Sequence, residues 1–146
     1  LTAPGANPTL KEEPHPHEAL IDPTDSFVVV PDLGADLIRV FTIDQETSLL
    51  RESTPFSTPP GSGPRHGAFL QAGENTFFFL ISELLNTIVS YKVTYSMDLI
   101  AFEEVFSSGT YGNTTTPAGA AAAEAIVSVS LTPYVSIQNS INKTNY

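Results

Sequence analysis

Three short stretches of this 146-residue chain begin alike: "HEAL" from His17, "HGAF" from His66 and "AEAI" from Ala123. They stand 49 and 57 residues apart, and short apolar runs parted by polar turns follow each of them. Self-similarity at this period, carried by short strands, is the pattern of a β-propeller whose blades are four-stranded antiparallel sheets. A β-sandwich also has short strands at regular spacing, but the repeat favours the propeller. The expected fold class is all-β. The chain reads as a linker or edge segment over residues 1–14, then a partial propeller over 15–146 with blade repeats starting near 15, 64 and 120.

Local patterning fills in the blades. "SFVVVPD", Ser26–Asp32, is a β-branched run after the turn signal "DPTDS". "DLIRVFTID", Asp36–Asp44, places Leu37, Arg39, Phe41 and Ile43 on one face and Ile38, Val40 and Thr42 on the other. The "DLGAD" between them predicts a hairpin turn in which Gly34 takes positive φ. Thr54–Pro64, "TPFSTPPGSGP", reads as loop. "HGAFL", "NTFFFLIS", "NTIVSYKVTYS" and the edge strand "LIAFEEVFSS" make the second set; "EAIVSVS" and "PYVSIQN" begin a third. Only "AGAAAAEAI" has the composition of a helix. These residues supply about three blades, whereas a closed ring needs at least about four. The remaining blades of a longer protein are therefore expected partners, since bare blade faces would leave large apolar surfaces open.

Charge excludes several functions. Six basic against sixteen acidic residues give a net charge of −10, and no basic stripe exists to meet nucleic-acid phosphates. No apolar run reaches the eighteen or so residues of a membrane span. "LTAPGANPTLKEEP" has neither the charged start nor the apolar core of a signal peptide, and reads as the middle of a longer chain. With no cysteine, disulfides and thiolate metal sites are excluded. Sequons at Asn113 and Asn142 tip the expected location toward secreted or extracellular over cytoplasmic.

All three histidines fall at the blade starts: His15 and His17 at one, His66 at the next with Arg65 beside it. Strands entering a propeller there present their first side chains to the mouth of the central channel, so His17 and the Arg65–His66 pair would face one volume. Glu83, at the end of the following strand, would reach its margin. A guanidinium can hold a carboxylate or polarise a carbonyl oxygen through two parallel hydrogen bonds. An imidazole moves protons near neutral pH, and Glu83 can act as base or orient a histidine. Such a set suits proton transfer at a lactone or a carboxylate-bearing substrate. His15-Pro16-His17 lacks a third ligand at a familiar spacing, so neither metal nor cofactor is expected. Asp22, Asp25, Asp32, Asp36 and Asp44 read as turn acids.

"HPHEALIDPTDSFVVVPDLGADLIRVFTID", followed by "GPRHGAF" and "ELLNTIVSYKV", resembles the lactonase family of seven-bladed propellers. Members include bacterial 6-phosphogluconolactonase and the fungal 3-carboxy-cis,cis-muconate lactonizing enzyme, or carboxymuconate cyclase. The likeness covers residues 14–95 and, more thinly, 120–140. It implies a cleft at one end of the channel for a small anionic or lactone substrate. His17, Arg65 and Glu83 would be catalytic, with His15 and His66 nearby as substrate-binding residues. Two positions depart from the family: Ile137-Gln138 where an Asn-Arg pair often follows "YVS", and "SLTPY" in place of an "SPDG" turn. A lactone hydrolase or carboxymuconate-type cyclase is the first reading. A catalytically inactive secreted propeller serving as a binding or structural module is the alternative.

Overall fold

The computed structural model describes residues 13–128 and 135–141, and every element in them is a strand. The first sheet holds β1 (Leu20–Ile21), β2 (Phe27–Asp32), β3 (Leu37–Ile43), β4 (Leu50–Glu52) and β5 (Phe56–Ser57). The second runs in the order β6 (Pro64–Ala72), β7 (Asn75–Ser82), β8 (Thr87–Ser96) and β9 (Leu99–Gly109). A third pairs β10 (Ala120–Val127) with β11 (Val135–Ile141). Among the described residues the pairings are antiparallel, and all but that of β3 with β5 join neighbours in sequence, as in propeller blades. Residues 1–12 and the stretch "SLTPY", 130–134, lie outside the described residues.

Alternation along β7 explains how the sheets stack. Phe78 and Leu80 point to one face, where they join Phe27, Val29, Ile38 and Val40 of the first sheet in a buried core. Ile81, with Phe79 partly buried beside it, points to the other face and meets Ala122 and Ala125 of β10. A strand covered on both faces loses most of its apolar surface to its neighbours, which is why "FFFLI" carries so little polarity.

Four local expectations are corrected. "AGAAAAEAI" is no helix: Ala120–Val127 is a strand, because pairing with β11 and close packing of Ala122 and Ala125 on Ile81 and Ile88 outweigh alanine's helical preference. Thr54–Pro64 is not all loop, since Phe56–Ser57 returns to the ladder opposite Ile38 and Leu37. β4 and β5 are thus one outer strand interrupted at Ser53–Pro55, where proline has no N–H to give. In the β2–β3 turn the positive φ belongs to Asp36 (53°), not Gly34. Gly34 is required for space, as a Cβ there would lie 2.1 Å from the Glu13 carbonyl oxygen. Asn86 (φ 52°) holds the equivalent place in the β7–β8 turn.

The fourth correction concerns Asp32 and Asp36, which do more than cap their own turns. Asp22 and Asp44 do serve their own turns: Asp22 accepts from the N–H of Thr24, Ser26 and Phe27, Asp44 from those of Glu46 and Thr47. Asp36, by contrast, accepts from the N–H of Gly61 and Gly63, 25 and 27 residues away. Asp32 is fully buried and receives Arg39 Nε at 2.7 Å, along with the N–H of His15 and Ala35. It fixes the backbone of the histidine segment to the end of β2, and the next contacts extend that hold: Leu33 N–H to His15 O at 3.0 Å, and His17 N–H to Pro31 O at 3.2 Å.

Candidate functional site

The two blade starts differ by one residue, and that residue is Arg65. In the first blade Pro16 pairs with Asp32, and His17 follows directly. In the second Pro64 pairs with Ser82 and His66 with Ile81, leaving Arg65 unpaired in a β-bulge. Such an extra residue bends the strand and re-aims a side chain. Arg65 turns toward the third blade, where Nη1 donates to the Ala123 carbonyl of β10. Its Nε lies 2.8 Å from Glu83 Oε2. Glu83 is itself placed by its N–H bond to Gly63 O at 2.8 Å, the counterpart of the Leu33–His15 bond one blade earlier. Among the described residues these two contacts engage Nη1 and Nε of the fork, and Nη2 takes part in neither.

His17 and His66 come together from adjacent blades with ring centroids 6.1 Å apart. His17 is exposed as a residue, but protein packed around its ring withholds water from it. That desolvation holds its pKa below the usual 6.5, and the Arg65 charge pushes it the same way, against an upward pull from Glu83. His66 and His15 add smaller downward pushes, His15 the least, so all five expected site residues act on one neighbourhood. A neutral imidazole at neutral pH is a proton acceptor. His15 is exposed at its outer edge.

Two residues here escaped sequence reading. Glu18 Oε2 accepts the Gly67 N–H at 2.9 Å and lies 3.9 Å from His66 Nδ1. Glu124 Oε2 approaches the same nitrogen from the third blade, to 3.2 Å. The signal was present in the aligned starts, where Glu18, Gly67 and Glu124 share the second position. Gly67 is the odd member for a steric reason: a Cβ there would lie 2.4 Å from the Phe78 ring.

Other features lie elsewhere. Surface cavities of about 330 Å³, beside Thr42–Asp44 and Arg51, and about 410 Å³, between Ser53–Phe56 and Leu99–Phe102, sit at outer strands and include none of the histidines. Among the described residues no group of three or more histidine and acidic side chains is arranged to hold a metal ion. No described helix is long and apolar enough to cross a membrane. Asn113 is exposed in the turn after β9, and Asn142 lies outside the described residues. Ile137 packs against the second core, and neighbouring Gln138 pairs with Glu124 across the ladder.

Residues 1–139 match the family described as "Lactonase, 7-bladed beta-propeller". The chain belongs to the lactonase family. Among lactonase relatives, a probable 6-phosphogluconolactonase of Arthroderma benhamiae is 40% identical over 104 residues, which are 69% of this chain and 26% of the relative. The 6-phosphogluconolactonase of Bacillus subtilis is 35% identical over 82 residues, 56% of this chain and 22% of the relative. The lactonase chain thus spans about a quarter of the curated relatives it matches. A crystal structure of a Lactobacillus plantarum protein superposes with a TM-score of 0.73 at 29% identity, covering 92% of this chain and 38% of that one. The Pseudomonas aeruginosa periplasmic gluconolactonase shares the fold at a TM-score of 0.65 and 24% identity, over 82% of this chain and 32% of that one.

Proposed function

We propose that these three sheets belong to a ring that hydrolyses lactones, with the reaction at the mouth where the blade starts converge. The observation that carries this reading is Arg65, braced by Glu83 and the Ala123 carbonyl beside a histidine kept neutral. Family membership supports it, and the relatives' names add weight to a lactone substrate. Remaining blades of the native protein would close the mouth and supply its other wall.

The chemistry follows from the groups. His17 takes a proton from water as the water oxygen attacks the lactone carbonyl carbon. The carbonyl π electrons move onto oxygen, and Arg65 stabilises that oxyanion through its Nη2–H. Collapse breaks the ring C–O bond, and the proton on His17 passes to the departing alkoxide. Glu83 keeps the guanidinium in place. His15 and His66 line the substrate at the margin. Among the described residues the mouth sets Arg65 against Glu18, Glu83 and Glu124, a balance that suits a singly charged carboxylate better than a phosphate dianion. The exposed Asn113 sequon favours a secreted protein.

Incubating the native protein with a panel of neutral, carboxylated and phosphorylated lactones, and titrating the acid released, tests the reading. Turnover above the uncatalysed rate is expected, best with the carboxylated members. The acidic limb of kcat/KM should have an apparent pKa below the 6.5 of an ordinary histidine, then level off through neutral pH, because lowering the pKa leaves His17 unprotonated. No turnover of any lactone, or an acidic limb above 6.5, contradicts it.

A further inference from the structure

We propose that Glu18 and Glu124 are positioning residues that hold His66 in its Nδ1–H tautomer, so that Nε2 faces the shared mouth as a hydrogen-bond acceptor. His66 Nδ1 is shut off from water and makes no aligned hydrogen bond among the described residues. Its charged neighbours are two carboxylates from the blades on either side, Glu124 Oε2 at 3.2 Å and Glu18 Oε2 at 3.9 Å. A nitrogen lone pair aimed at two carboxylate oxygens away from water is repelled by both, whereas an N–H there is attracted by both. Neutral imidazole carries one N–H, so a proton on Nδ1 leaves Nε2 with the lone pair.

Both carboxylates are themselves held. Glu18 Oε2 is anchored by the Gly67 N–H, and Glu124 Oε1 accepts the Ala125 N–H at 3.0 Å, which turns its second oxygen to the imidazole. The arrangement needs three blade starts at once: the second residue of the first and third supplies a carboxylate, and the second residue of the middle one supplies the backbone N–H that fixes the first blade's acid. Metal-bound histidines are oriented through their second nitrogen in the same way, and here the beneficiary is the ligand in the mouth. Nε2 would then accept from a substrate hydroxyl, and the His17 ring stands 6.1 Å from the His66 ring, centroid to centroid.

The activity arm of this proposal rests on the lactone-hydrolase reading; the tautomer arm does not. Native protein labelled with ¹⁵N-histidine is examined by long-range ¹H–¹⁵N correlation at alkaline pH. His66 should show a protonated-type Nδ1 and an acceptor-type Nε2. In Glu124→Ala the Nε2–H tautomer should rise to a comparable share, while Glu124→Gln, whose amide oxygen still accepts, should keep the native pattern. With a turned-over lactone, Glu124→Ala should raise KM by about 10-fold, the loss of one good hydrogen bond, with kcat changed far less and the Gln variant restoring most of it. A wild-type His66 in the Nε2–H form, or a tautomer that Glu124→Ala does not move, overturns the proposal. A native tautomer alongside a lactone panel that is never turned over supports it while refuting the hydrolase reading.

Discussion

Arg65→Ala lowers kcat for lactone hydrolysis by about 10²–10³-fold, the effect of removing one preorganised oxyanion donor, and it raises the His17 pKa. The second effect follows from sign: the Arg65 charge depresses that pKa, so its loss lets the imidazole hold its proton to higher pH. Arg65→Lys separates the two. Lysine keeps the positive charge but replaces the planar fork with a point charge on a flexible stem, so the His17 titration stays close to native while the rate still falls. Glu83→Gln moves the pKa the other way, because the lost carboxylate was pulling it up. pH–rate profiles and the His17 Cε1–H resonance report both. An Arg65→Ala variant with native kcat, or with an unmoved His17 titration, is incompatible with the site described.

The other large effect is on stability. Asp32→Ala destabilises the native protein by about 3–5 kcal/mol, the range for breaking a buried ion pair from one side. Asp32 is wholly buried and Arg39 nearly so, and the substitution strands the guanidinium whose Nε now meets Asp32 at 2.7 Å. It also removes the acceptor of the His15 and Ala35 N–H groups. Adding Arg39→Met should recover more than half of the loss, since a flexible apolar chain then fills the space without a charge. Denaturant midpoints measure both. A cost under about 1 kcal/mol for Asp32→Ala, typical of an exposed pair, would show that this pair holds nothing together.

The strands of the first two blades were legible because β-branched and aromatic residues alternate between turn signals, and a half-buried sheet demands that pattern. The convergence of His17, Arg65, His66 and Glu83 was legible for a different reason: repeat position alone sends equivalent residues to the same end of a propeller. What resisted reading depends on tertiary partners. The alanine run looks helical until Ile81 and Ile88 require small residues opposite them. Phe56–Ser57 is bounded by prolines, and only the waiting edge of β3 makes it a strand. The bulge was hidden in the extra residue of Pro64-Arg65-His66 relative to Pro16-His17, which pattern alone does not translate into register. Glu18 and Glu124 gave no local signal because a glutamate is ordinarily solvated; their meeting at one imidazole requires three blades in place. Asp32 resembled other turn acids because nothing local shows that Arg39, seven residues on, folds back over it.

The most direct measurement is a crystal structure of the native protein with the hydroxy-acid product of a lactone that it opens. The new carboxylate should lie at the mouth shared by the three blade starts, within about 3 Å of Arg65 Nη2 and beside the His17 ring. A product bound at the opposite end of the ring, or at the outer cavities with Arg65 untouched, would contradict it.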